Sequence, residues 1–133
     1  MGQRFLIDTS AVVKYLTETL SDNGLTFMDK ALSSDYKISF VTQIELLVFN
    51  TTVYNDILIR EQFIEATDVI HVNEGIIDKA IYIRRETNIK LPDALIAATA
   101  MHYEQTLIST NDRDFDKVMP LGLKYINPET LGL

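Results

Sequence analysis

Five short β-leaning runs, at about Arg4 to Ile7, Lys37 to Val41, Asp68 to Val72, Thr106 to Ser109 and Leu123 to Ile126, alternate with longer segments of helical spacing along the whole chain. Strands separated by helices cannot close hairpins, so this order restricts the chain to an α/β layer fold. The runs are nearly continuous in apolar residues, the pattern of strands covered on both faces, and imply a central parallel sheet of about five strands flanked by helices. The helical segments are Ser10 to Leu16, Asp22 to Leu32, Thr42 to Phe49, Val53 to Glu65, Glu74 to Glu86 and a segment from Asp93 to Tyr103 opened by Pro92. In Val53 to Glu65 the recurrence of Val53, Ile57, Phe63 and Ile64 reads as an amphipathic face, and Ile76, Ile77, Ala80, Ile81 and Ile83 read as the buried side of Glu74 to Glu86. With 133 residues, 47% of them hydrophobic, and no linker or repeat, residues 1–133 are expected to form one domain.

Several classes of function are disfavoured by composition. There is no cysteine, which removes disulfides, thiolate metal sites and cysteine nucleophiles and suits a cytoplasmic location. No apolar run approaches the ~20 residues of a bilayer span, so no membrane association is expected. A formal charge of −7 argues against nucleic-acid binding by a broad basic surface, because that mode needs clustered Lys and Arg. Only five glycines occur, none grouped into a phosphate loop. His102 falls nine residues beyond Asp93, out of phase with it on a helix, and His71 sits in a strand-like run as a structural histidine.

Four acids stand at the edges of these apolar segments: Asp8 in FLIDTSAVV, Glu45 in TQIELLVF, Asp93 in LPDALIAATA and Asp112 in LISTNDRDF. Each has a local explanation. Asp8 could cap a helix, Asp93 could face a helix N-terminus, Thr42 with Glu45 has the spacing of a capping box, and Asp112 could close a turn. In an open parallel sheet, however, functional groups gather beyond the carboxyl ends of the strands, where Asp8 and Asp112 fall directly and Glu45 and Asp93 fall in first helical turns. Crowded carboxylates repel, and a hard divalent cation relieves that repulsion.

The segments IDTSAVVKYL, VTQIELL, LPDALIAATA and LISTNDRDF, in this order, resemble the successive motifs of PIN-domain ribonucleases, in particular the small VapC-like toxins of toxin-antitoxin pairs, over about residues 4 to 126. The resemblance implies a doubly wound, three-layer α/β sandwich, a Mg2+ or Mn2+ site and endonucleolytic cleavage of RNA. Carried over by position, the catalytic and metal-holding acids are Asp8, Glu45, Asp93 and Asp112. NDRDFD also offers Asp114 and Asp116; the first position is favoured because it lies nearest the strand end. Thr9, Ser10, Thr110 and Asn111 flank the acids as supporting polar groups, and Lys14, Arg84, Arg85, Lys90 and Arg113 are candidates for guiding phosphates. The resemblance also implies a cognate antitoxin protein and a homodimer. Two other functions remain open: a catalytically silent PIN-like RNA-binding or assembly module, and a metal-dependent hydrolase of another phosphate ester.

Overall fold

A computed structural model describes residues 2–48 and 54–131. The order is β1 (Arg4–Ile7), α1 (Thr9–Leu16), α2 (Asp22–Leu32), β2 (Asp35–Ser39), α3 (Phe40–Leu47), α4 (Tyr54–Glu65), β3 (Val69–Ile70), α5 (Glu74–Glu86), α6 (Leu91–His102), β4 (Thr106–Ile108), α7 (Asp112–Phe115), a 3-10 turn (Met119–Leu121) and β5 (Lys124–Ile126). The strands form one five-stranded sheet in the order β3-β2-β1-β4-β5. Every pairing is parallel, with Leu6 opposite Lys37 on one side of β1 and Leu107 on the other. The chain winds outward from β1 through β2 to β3, then returns to the other side of β1 for β4 and β5. That reversal leaves a crevice beyond the carboxyl ends of β1 and β4, the topological switch point at which such sheets place their functional groups.

Each face of the sheet is covered by helices. Alternate residues of β1 point to opposite sides, so Leu6 joins one core with Ile76, Ile83, Ile96 and Phe115, while Phe5 and Ile7 join a second with Val12, Met28, Ile38 and Leu46. Helix α6 is buried nearly all round, at Ala94, Ile96, Ala97, Ala98, Thr99 and Ala100. Its alanines let the helix lie close to both the sheet and α5, which holds the acid at its first turn in a fixed position relative to β1. The result is the expected three-layer α/β sandwich with a central parallel sheet. Among the described residues no helix is long and apolar enough to cross a membrane.

Several local expectations shift. Strand β2 begins two residues early, at Asp35, and it ends two residues early because the Ser39 side chain accepts a hydrogen bond from the Val41 amide at 3.0 Å and starts α3 at Phe40. Thr42 and Glu45 are therefore inside the helix rather than in a capping box. On helix α4 the expected Ile57, Phe63 and Ile64 are partly buried around the buried Arg60, while Tyr54, Asn55, Asp56, Ile59, Glu61, Gln62 and Glu65 are exposed. Phe49 and Val53 lie outside the described residues. On α5, Ile76, Ala80 and Ile83 are buried, but Ile77 and Ile81 are each 45% exposed because they fall on the far edge of the helix. His71 lies just beyond β3 and is exposed, and His102 packs against Gly75 and the Tyr103 ring.

Candidate active site

Asp8 follows the last residue of β1 and occupies the N-cap position of α1, yet its carboxylate makes no capping hydrogen bond. The chain turns there because the Asp8 amide donates to the Ile108 carbonyl at 2.8 Å, continuing the β1–β4 ladder one step beyond the strand. The carboxylate instead faces across that ladder: its Oδ2 accepts from Ser10 Oγ and from Ser109 Oγ, both at 2.7 Å. Each serine oxygen in turn accepts a backbone amide, Thr110 N–H to Ser10 at 3.1 Å and Asn111 N–H to Ser109 at 3.0 Å. A hydroxyl has one proton, so with both protons given to Asp8 the 3.1 Å separation of the two serine oxygens is a contact between acceptors. Burial pushes the Asp8 carboxyl above its ordinary range, while the two hydroxyls and, more weakly, the Thr9 and Ser10 amides pull it back.

Glu45 reaches the same end of the sheet from α3. Thr9 Oγ1 lies 2.5 Å from Glu45 Oε1 and 3.1 Å from Thr42 Oγ1, and its single proton is best given to the carboxylate. Consecutive residues at the start of α1 thus hold the two acids: Thr9 the glutamate and Ser10 the aspartate.

Asp93 lies in the first turn of α6, after Pro92, and is half-buried. Its carboxyl is pushed up to about 6, first by burial, then by the negative charges of Asp8 and Asp114, a hydrogen-bonding contact with the Asp114 carboxylate, and the charge of Glu45. Acids from the turn after β1, from α3 and from α7 therefore all act on Asp93 in α6. Asp112 behaves differently. Its Oδ1 receives the Tyr125 hydroxyl at 2.6 Å and Asn127 Nδ2 at 3.0 Å, which anchor the start of α7 to β5 and the chain beyond it. Asp114, held at 2.9 Å by Asn111 Nδ2, is the member of α7 that acts on Asp93. Tyr125 stays neutral to well above the usual phenol range, because it is buried beside the Asp112 carboxylate.

The remaining expected residues divide by position. Thr9, Ser10, Thr110 and Asn111 all take part in this network, the last two through their backbone amides and Asn111 also through its side chain. Lys90 is the N-cap residue of α6 and Arg113 stands between Asp112 and Asp114, so both belong to the segments that carry the acids. Lys14 lines a groove with Tyr15, Leu20 and Leu25, and Arg84 and Arg85 border another of about 560 Å³ with Ile77, Ile81 and Leu91; none of the four interacting acids lines either. Sequence reasoning missed Ser109, Thr42, Tyr125 and Asn127. Ser109 carried a usable signal, a hydroxyl ending an otherwise apolar buried strand. Thr42 was read only as a cap, and Tyr125 and Asn127 depend on β5 pairing with β4.

An all-oxygen donor set of this charge suits Mg2+ or Mn2+ rather than a softer metal. Among the described residues no Lys or Arg forms a salt bridge with Asp8, Glu45, Asp93 or Asp114, so their charge is not neutralised by ion pairing there. Among the same residues no three His, Asp or Glu side chains stand close enough together to hold one ion. The donor chemistry would suit a divalent cation, but the described carboxylates do not form a ready-made site for one.

Comparison with known proteins agrees with this architecture. A toxin-antitoxin complex from Klebsiella pneumoniae contains a chain with 24% identity and a TM-score of 0.73, covering 92% of this chain and 96% of that one. The DNA-bound VapBC of Salmonella typhimurium gives 18% identity and a TM-score of 0.81 over 96% and 99%. FitAcB of Neisseria gonorrhoeae gives 19% and 0.76 over 96% and 99%. At these identities the likeness shows the fold. No curated protein sequence matches the chain at a significant level. The sequence does match the PIN domain family over residues 5–119, which includes α6, Asp8, Glu45, Asp93 and Asp114, and the chain belongs to that family.

Proposed function

We propose that this protein is a metal-dependent endoribonuclease that hydrolyses RNA phosphodiester bonds and acts as the toxin of a toxin-antitoxin pair in the cytoplasm. The observation that carries this reading is the state of Asp93, a carboxyl raised to about 6 by burial and by the charges of Asp8, Asp114 and Glu45. A set of acids that repel one another at a strand switch point is costly to keep without a cation, and catalytic sites are where such a cost is retained. Asp8, Glu45 and Asp93 are the proposed catalytic and ligating acids. The fourth place belongs to α7, with Asp112 expected from sequence and Asp114 favoured by its action on Asp93.

When bound, Mg2+ or Mn2+ supplies activation of water and neutralisation of charge at the scissile phosphate. The chain's own residues prepare for this. Ser10 holds Asp8, Thr9 holds Glu45, and Asn111 holds Asp114. Asp93 would be held in its ionised form by a bound cation, which would offset the burial and the neighbouring charges that raise its carboxyl to about 6. Lys90 and Arg113 offer positive charge on the segments that carry Asp93 and Asp114, the local contact to phosphate that an acidic protein needs; Lys14, Arg84 and Arg85 would act farther along an RNA. Resemblance to a protein described as part of a toxin-antitoxin complex supports a cognate antitoxin; a homodimer is part of the same proposal.

A catalytically silent PIN-like module that binds RNA or a protein partner is the second reading, and a specific observation favours it: no three acids among the described residues are close enough to ligate one ion. Hydrolysis of a different phosphate ester would use the same carboxylates. Purified protein incubated with RNA, DNA and small phosphoesters, with Mg2+, Mn2+ or chelator, separates these readings. Metal-dependent RNA cleavage lost in Asp8→Asn supports the nuclease. RNA binding without turnover supports the silent module, and turnover confined to small esters supports the third.

A further inference from the structure

Helix α5 buries one side against the sheet and α6 and leaves an apolar stripe on the other. Ile77 and Ile81, about one helical turn apart, are each 45% exposed, and Leu91 at the start of α6 is 52% exposed beside them. With Leu95, Arg84 and Arg85 they border the groove of about 560 Å³ between the two helices. A contiguous apolar patch rimmed by charge marks an interaction surface, whereas single exposed side chains do not. The charges here are ordered along the helix: Glu74 and Asp78 stand in its first half, Arg84 and Arg85 in its last turn. Among the described residues none of these four forms a salt bridge.

Such a face is complementary to itself when reversed. If a second α5 lies antiparallel on the first with Ile77 against Ile81, the midpoint falls at Lys79, and Glu74 of each copy comes level with Arg84 and Arg85 of the other, about 8 Å from the midpoint along the axis. Eleven residues are close to three whole turns, so Glu74 and Arg85 project on the same side of the isoleucine stripe, as a two-fold axis requires. We infer that the α5 face, together with Leu91, is the surface through which two copies of this chain pair about a two-fold axis, with Ile77 and Ile81 at its centre and Glu74 meeting Arg85 at either end. The inference rests on the homodimer of the proposed function and goes beyond it by fixing the surface and its register. Leu91 lies two residues before Asp93, so this surface adjoins the turn that carries that acid.

The test is sedimentation equilibrium of the full chain as wild type, I81E, R85E and E74R/R85E, with circular dichroism melts to establish folding. Expected results are a dimeric wild type, a monomeric I81E, and a dimer of R85E weakened about 10-fold or more because like charges meet twice in one interface. E74R/R85E exchanges the two charges and should regain most of the lost affinity, which a general loss of stability would not produce. If I81E does not fold, R85E and E74R/R85E decide, since both altered side chains are exposed. A folded I81E that stays dimeric, a folded R85E as tight as wild type, or an E74R/R85E no tighter than R85E overturns the inference alone: the copies then pair through another surface. A monomeric wild type overturns both the inference and the proposed homodimer, and leaves the nuclease reading to its own assay.

Discussion

Replacing Asp93 by Asn should stabilise the cation-free protein while destroying its proposed activity. The Asp93 carboxyl sits at about 6 in the fold against 3.8 unfolded, so above pH 6 folding forces a carboxylate to ionise where burial and the charges of Asp8, Asp114 and Glu45 oppose it. Converted at about 1.36 kcal/mol per pH unit, that opposition has an upper limit of about 3 kcal/mol. Asp93 is half-buried and partly screened by water, which reduces the figure to about 1–2 kcal/mol. The sign follows from proton counting. Between the unfolded and folded values the native state binds more protons, so stability from this group is present below about 4 and is lost as pH rises through about 6. Asparagine keeps the shape, carries no charge and can still donate to Asp114. Urea denaturation in chelator should therefore show D93N more stable than wild type by about 1–2 kcal/mol at pH 7.5, with the gap closing at pH 4. Added Mn2+ should reverse the order by stabilising wild type and not the variant. An Asp93→Asn protein no more stable than wild type at pH 7.5, or one whose advantage is the same at both pH values, would refute the account of crowded negative charge.

The two acids of α7 should separate cleanly: D114N abolishes Mn2+-dependent RNA cleavage with the melting temperature kept or raised, whereas D112N lowers the melting temperature because Tyr125 and Asn127 lose the carboxylate they share. Equal loss of cleavage in both, with equal stability, would place both carboxylates at the cation. Y125F should cost about 1.5–3 kcal/mol in denaturant unfolding, the value of a hydrogen bond to a charged acceptor, and leave cleavage within a few fold of wild type. Leu107→Ala removes a fully buried side chain from the central strand pair and should cost about 2–5 kcal/mol by the same measurement. A smaller loss would mean that the core around β4 collapses around the vacated volume.

Much of the fold was readable because its strands are short apolar runs with helical spacing between them. Arg4–Ile7 falls where expected and Thr106–Ile108 and Lys124–Ile126 are each one residue shorter; in the first two, burial along the strand lets hydrophobicity alone dictate the element. Errors occurred where a polar side chain outweighed that pattern. Ser39 caps a helix and cuts β2 short, although Phe40 and Val41 look like its continuation. Helix α5 was expected to bury five apolar residues, but a helix presents a limited stripe to its neighbour, and Ile77 and Ile81 fall beyond it.

Asp8 and Asp93 were legible for a related reason, since they border segments that the structure buries, whereas the apolar segment around Glu45 leaves Ile44, Leu47 and Val48 exposed. The residue pair in α7 was not legible. Asp112 and Asp114 are two positions apart on a four-residue helix too short for its own periodicity to orient them. Their directions are decided from outside, by Tyr125 and Asn127 pulling Asp112 toward β5 and by Asn111 holding Asp114 on the side of Asp93. Tyr125 and Asn127 come from the strand at the sheet edge and the residue just after it, placed by the β4–β5 register in which Leu107 pairs with Tyr125, and Asn111 is the residue just before α7. Proximity to a strand end thus says that an acid stands at the crevice. Which of two neighbouring acids faces the other carboxylates is set by the hydrogen bonds each makes once the sheet is complete.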